Sequence, residues 1–271
     1  MTFHPRPDKA LVFAGDKAGN LGIFDASDSE NVLRVKKESK HIKFEGDVDD
    51  EEEEAVPAIT TFHLHSRTIS NFLFPPSTPS KLLSASYDSS IRSLDLGASK
   101  AVEVYAPDDP DMDEPVSGME VPSDSPSTIY FSTLNGTFGR HDMRAPKTNA
   151  GGTVLTLLSE KKIGGFTLHP NQPHLMATAS LDRKLKIWDL RKMSDQDGPS
   201  LLGEHESRLS VSHACWNSVG QVATASYDDT VKIHDFSQAG SWTAKTQLSE
   251  AEMKPTTVIR HNNQTGRWVT M

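Results

Sequence analysis

Arg191 closes the run Trp188-Asp189-Leu190-Arg191, and Arg144 closes a degenerate copy, His141-Asp142-Met143-Arg144. A guanidinium just past a strand can make paired hydrogen bonds to a partner's carboxylates or carbonyls. The plainer reading is a solvated arginine after a strand. A second group is cationic: Lys17, Arg67, Lys161, Lys162, Arg183, Lys184 and Arg208. Such groups neutralise phosphates and give salt-sensitive, mostly sequence-independent affinity. Singly, each is also what keeps a protein surface soluble. No catalytic constellation accompanies them. There is no phosphate loop ending in Lys-Ser/Thr, no His-Glu-x-x-His and no pair of cysteines. His63 and His65 lie two apart, but a metal site needs further ligands that the sequence does not point to. The chain reads as non-catalytic, without cofactor or metal.

The elements that must position these residues recur. Ala177 to Arg191 holds a small-residue strand, a polar turn at Leu181-Asp182-Arg183-Lys184 and a second strand, Leu185 to Trp188. Alternation at period two on both sides of a short turn predicts a hairpin. The same pattern returns in five units that close on Asp25, Asp95, Asp142, Asp189 and Asp235, spaced by 70, 47, 47 and 46 residues. A period slightly above 40 with several short strands per unit predicts an all-β, WD40-type β-propeller. About five of the usual seven blades are present. The chain is therefore expected to be a truncated or open arc, part of a longer protein, with exposed sheet edges. The expected units are a partial blade over 1–35, an acidic disordered insert over 36–60, and blades over 61–105, 106–148, 149–192 and 193–237. A linker and the start of another blade follow over 238–271. Small residues on the second strands (Ala85, Ala179, Ala225) are expected to pack near the centre. His205, Ser226 and Asp228 in one unit, and Ser180, Asp182 and Trp188 in another, are expected to form buried hydrogen-bond networks that keep the fold.

Charge is unevenly spread. The net charge is −9. Eight acidic residues lie between Glu45 and Glu54, and five more between Asp108 and Glu114. Without both tracts the balance of −9 becomes +4. Runs of like charge repel, so both tracts are expected to be unstructured loops on a mildly basic body. The single cysteine, Cys215, excludes an internal disulfide framework and fits a reducing compartment.

On Phe3-His4-Pro5, Ala14 to Gly22, Ser84 to Leu96, Thr133 to Arg144, Ala177 to Arg191 and Val222 to Phe236, the chain resembles the WD-repeat DNA damage-binding family. That family comprises the fungal changed-mutation-rate proteins and relatives of the small subunit of the damage-specific DNA-binding protein. The resemblance spans the chain outside the acidic insert. It implies a nuclear, DNA-binding propeller acting in DNA metabolism or the damage response, with a preference for damaged duplex. Some relatives also dock on a cullin–ubiquitin-ligase adaptor through a Trp-Asp-x-Arg box, so the resemblance makes Trp188, Asp189 and Arg191, with Arg144 of the degenerate copy, the candidates for partner binding. The alternative function is thus an interaction scaffold or substrate receptor, partnered by that adaptor or by chromatin proteins.

The resemblance further implies which residues meet DNA. The interface would be built from second-to-third-strand turns and blade-entering loops, which carry the cationic group above. Lys17 and Lys162 match DNA-contacting positions. The segment matching the family's lesion-reading hairpin runs from His261 to Trp268; it offers His261, Gln264 and Arg267 but no apolar tip. Apolar wedges give damage preference because unstacking costs least at an already distorted site.

Overall fold

A computed structural model describes residues 1–26, 32–36, 53–57, 59–109, 111–145, 152–193, 197–243 and 245–260. The first sheet joins β1 (Thr2–Phe3), β2 (Leu11–Gly15) and β3 (Asn20–Asp25). After β3, β4 (Val32–Lys36) and β5 (Glu53–Pro57) pair as a separate antiparallel ribbon. The chain then returns as β6 (Ile59–His63), which completes the first sheet beside β3. The second sheet is β7 (Ile69–Leu73), β8 (Lys81–Ser86), β9 (Ile91–Asp95) and β10 (Lys100–Tyr105). The third is β11 (Val116–Glu120), β12 (Thr128–Thr133), β13 (Thr137–Asp142) and β14 (Thr153–Leu157). The fourth is β15 (Ile163–His169), β16 (Gln172–Ser180), β17 (Lys184–Asp189) and β18 (Ser200–Glu206). The fifth is β19 (Val211–Trp216), β20 (Gln221–Ser226), β21 (Thr230–Asp235) and β22 (Thr257–Arg260).

Five antiparallel four-stranded sheets make this a partial β-propeller, as the repeat period implies. First strands pack against first strands: β7 on β11, β11 on β15 and β15 on β19. Each junction between neighbouring sheets has its own core. Phe13 and Leu21 meet Ile69 and Leu82, and Tyr105 and Leu83 meet Val116 and Phe131. Phe138 and Val154 meet Ile163 and Phe166, and Ile187 and Leu202 meet Val211 and Trp216. A sheet that is apolar on both faces gains its stability only from such stacking.

The sequence repeat and the sheet are offset by one strand. Cutting the chain after each closing aspartate assigns Ile59–His63, Thr153–Leu157, Ser200–Glu206 and Thr257–Arg260 to the wrong unit or to a linker. Each is the outer strand of the sheet before it. The insert over 36–60 also differs from an unstructured loop at its far end, because Glu53–Pro57 pairs with Val32–Lys36. Residues 37–52, with most of the acidic tract, lie outside the described residues. Ala85 and Ala179 are fully buried, but Ala225 is half-exposed.

Buried polar networks hold the hairpins, though not always with the expected members. In the second sheet, His65 Nδ1 contacts Asp88 Oδ2 at 3.0 Å and its Nε2 contacts Ser84 Oγ at 2.8 Å. Asp88 also accepts from the Ser90 hydroxyl and the Ser66 amide. In the fourth sheet Ser159 stands where His65 does, 2.8 Å from Ser180 Oγ, and Lys186 Nζ donates to Asp182 at 3.0 Å. Trp188 Nε1 donates instead to Thr178 Oγ1, at 2.8 Å. In the fifth sheet Lys232 Nζ bridges Asp228 at 2.8 Å and Ser207 Oγ at 3.2 Å. His205 is outside that network; its ring lies 5.1 Å from that of His234. His63 and His65 do not form a pair: His63 bonds Asn20 in the first sheet, while His65 serves the second.

Glu120 ties the third sheet to the fourth, its Oε2 accepting from the Leu168 amide at 2.8 Å. Burial pushes its carboxyl from an ordinary 4.5 up to about 7, against the lowering effect of that single hydrogen bond. The folded chain therefore holds a proton that the unfolded chain releases, and stability falls as pH rises from about 4.5 to about 7. Glu120→Gln is expected to flatten that fall and to raise stability at pH 8 by about 2 kcal/mol, measured by urea unfolding across the range. Asp88→Ala leaves His65 without its charged partner and removes the acceptor for Ser66 and Ser90. It is expected to cost about 3 kcal/mol, read as a lowered unfolding midpoint.

Candidate nucleic-acid interface

Strand direction alternates along each sheet, so two kinds of connection share one end. These are the turns between second and third strands and the loops that leave the fourth strand for the next sheet. Backbone hydrogen bonds sew them together. The Gly19 carbonyl accepts from the Leu64 and His65 amides, and the Gly136 carbonyl from those of Leu158 and Ser159. Both glycines have φ near +85°, and a Cβ would meet the carbonyl oxygen of His65 or Ser159 at 1.9 or 2.0 Å. Only glycine allows that approach. Leu181 donates its amide to Lys162 O, and Ser207 donates its amide to Arg183 O at 2.8 Å.

All seven described cationic candidates lie at this end. Lys17 and Arg67 line a depression of about 580 Å³ with Tyr87, Asp113 and Asn135. Lys161, Arg183 and Lys184 line another of about 680 Å³ with Leu181, Leu209 and Ser210. Lys162 and Arg208 flank the second. The structure thus brings the seven together in two groups. Their free charge differs as well. Arg67 pairs with Asp113 at 2.7 Å, Lys184 with Glu204 at 2.6 Å, and Arg183 with Glu206. Among the described residues Lys17, Lys161, Lys162 and Arg208 have no ion pair. Exposed pairs of this kind contribute little to stability. His261, Gln264 and Arg267 lie outside the described residues.

Four residues on this face escape a reading by charge. Leu181, Leu209 and Tyr227 are exposed there, and Tyr87 is half-exposed. The signal was an aromatic at the turn position, in Ser86-Tyr87-Asp88 and Ser226-Tyr227-Asp228, where packing does not demand one. The second acidic tract also differs from an unstructured loop. It occupies the connection from β10 to β11, on the cationic face, and is pinned there. Glu114 donates its amide to Ser89 Oγ at 3.0 Å, and Asn135 Nδ2 donates to Asp113 O at 2.9 Å.

The opposite end carries the partner-binding candidates. Arg191 Nε donates to Asp189 Oδ1 at 3.0 Å and Nη2 to Asp189 Oδ2 at 2.5 Å, while the Arg191 amide also donates to Oδ1. Arg144 repeats this with Asp142 at 2.9 and 2.6 Å. Each guanidinium already holds a carboxylate from its own chain, so neither is the free fork expected of a docking group. The closing aspartate explains its own recurrence: Asp95 and Asp235 likewise accept backbone amides two residues on. Trp188 and Asp189 are buried.

The WD domain, G-beta repeat, family model matches residues 152–189 and 200–235. Each match begins on an outer strand and ends on the third strand of the next sheet, which is the one-strand offset again. The DNA damage-binding protein CMR1 of Phaeosphaeria nodorum is 59% identical over 274 residues, covering 100% of this chain and 50% of that protein. Those of Aspergillus clavatus and Neurospora crassa are 55% and 50% identical, again over 100% of this chain and 50% of the relative. The chain belongs to this WD-repeat family. It spans about half the length of the curated relatives it matches.

Within this family fold the two Asp-x-Arg clips are not equal. Asp189 is 1% exposed and Asp142 36%. Removing the guanidinium strands a buried carboxylate only in the first case. Arg191→Ala is expected to destabilise the chain by about 1 kcal/mol, whereas Arg144→Ala leaves the urea midpoint where it was.

Proposed function

We propose that this chain is a non-catalytic DNA-binding arc of the propeller, acting in the nucleus in the damage response. It holds duplex or single-stranded DNA by its phosphates on the face of turns and entry loops. The observation that carries the reading is the convergence of Lys161, Lys162 and Arg208, all without ion pairs among the described residues, beside Arg183 and Lys184 at one end of the sheets. The names of the matched relatives, DNA damage-binding proteins, support the same partner. Each phosphate neutralised by a lysine or arginine releases condensed counterions, so affinity falls steeply with salt and depends little on sequence. Exposed Tyr227 adds a π-face on which a splayed base can stack. A preference for damaged duplex follows where stacking is already broken, since unpairing there costs least. The scaffold reading has less support, because Arg191 and Arg144 are engaged by Asp189 and Asp142.

The test is a salt titration of the 271-residue chain on intact and damaged duplexes of one sequence. Retention is expected near 50 mM salt and loss by about 200 mM, with the damaged duplex the better competitor. Lys161→Glu with Lys162→Glu is expected to weaken both duplexes at least about tenfold and to flatten the salt slope by about 2. No retention of wild-type chain at low salt would sink the reading.

A further inference from the structure

The acidic loop between β10 and β11 shares its face with the cations and has no counterpart there. The other entry loops described around the second depression, Leu158 to Lys162 and Ser207 to Ser210, are short and carry Lys161, Lys162 and Arg208 against a single carboxylate, Glu160. This one carries Asp108, Asp109, Asp111, Asp113 and Glu114. It is not a loose tail. Leu134 donates its amide to Pro115 O at 2.9 Å, Asn135 holds the Asp113 carbonyl, and the Glu114 amide is held by Ser89. That anchoring sets the Asp113 carboxylate 2.7 Å from Arg67 Nη1, which also donates to Tyr87 O at 3.0 Å. Lys17 lines the same depression. The loop's field reaches inward as well: burial, with Glu114 and Asp108 adding to it, pushes the Tyr105 hydroxyl up to about 12.

We infer that this loop is a built-in phosphate mimic that occupies Arg67, closes the first-to-third-sheet sector to nucleic acid, and confines the DNA footprint to the fourth and fifth sheets. The inference rests on the DNA-binding reading and says where on that face the duplex lies. A phosphodiester seeking Arg67 and Lys17 must displace Asp113 and sit among like charges, within the ~10 Å over which 0.1 M salt leaves charges unscreened. At Lys161, Lys162 and Arg208 no such loop stands in the way. The Arg67–Asp113 pair is exposed and weak, so neutralising the loop should open the sector without disturbing the fold.

The experiment compares Asp111→Asn with Asp113→Asn against a control that removes two charges from the first-to-second-strand connections at the opposite end, Asp8→Asn with Asp124→Asn. Affinity of the 271-residue chain for a 20-base-pair duplex (about two helical turns) is read across salt concentrations, with thermal unfolding confirming that each variant folds. The loop variant is expected to bind about fivefold tighter at low salt with a slope steeper by about 0.9, one added phosphate contact. Adding Arg67→Ala should erase both gains, and the control should leave the slope unchanged. A loop variant with wild-type affinity and slope, or a gain that survives Arg67→Ala, overturns the inference while DNA binding stands. If neither wild type nor the loop variant is retained on DNA, the DNA-binding reading fails, and this one with it.

Discussion

Asp88, Asp182 and Asp228 each sit under the turn of a hairpin, out of bulk water, and each must find partners there. An unpaired buried carboxylate costs several kcal/mol. The three sheets meet this one constraint in different ways. The second supplies His65 from the preceding loop; the fourth and fifth supply Lys186 and Lys232 from four residues down the same hairpin. Burial pushes each carboxylate up, but the partners outweigh it and lower each below its ordinary value: His65 and Ser90 for Asp88, Lys186 for Asp182, and Lys232 for Asp228. Because the partner comes partly from the loop entering the sheet (His65, Ser159, Ser207), satisfying the aspartate also fixes the entry loop against the turn. The whole loop-bearing face is positioned by that coupling.

The same coupling explains why the face can carry so many exposed groups without losing shape. Leu181 has its amide bound to Lys162 O and its carbonyl bound by Ser210 Oγ. The turn that presents Arg183 is therefore held from the loops on both sides. Arg183 itself has φ of +75°, a conformation that costs a non-glycine residue about 1 kcal/mol or more. The surrounding hydrogen bonds over-determine it. Cations on such a frame are presented without a further backbone ordering cost, which favours phosphate contact over non-specific collapse onto an anion.

Hairpins were the legible part of the sequence. Small residues, a polar turn and apolar alternation locate all five second-to-third-strand pairs, and the spacing of the closing aspartates implies the propeller. Outer strands were illegible for a physical reason. Ile59–His63 and Thr257–Arg260 lie at sheet edges, bury little and need no turn signature, so no pattern marks them. The network histidine was misplaced for a related reason. His205 has the right type, but Ser207 occupies the position, and Lys232, four residues down the same hairpin, takes over the contact with Asp228. Type alone cannot reveal that exchange.

The cationic positions were legible as chemistry but not as geometry. The residue types locate the cations by loop, whereas the carboxylates that answer them are unevenly placed. Glu204 and Glu206 come from an outer strand that the repeat does not mark, and Asp113 from a loop whose composition suggests disorder. Like charges separate when nothing restrains them, yet here Ser89 and Asn135 restrain the backbone between them at two points. A run of acids is thus held on the same face as the bases, at the connection from the second sheet to the third. A polyanion arriving at such a surface meets those acids as well as the nearest lysine.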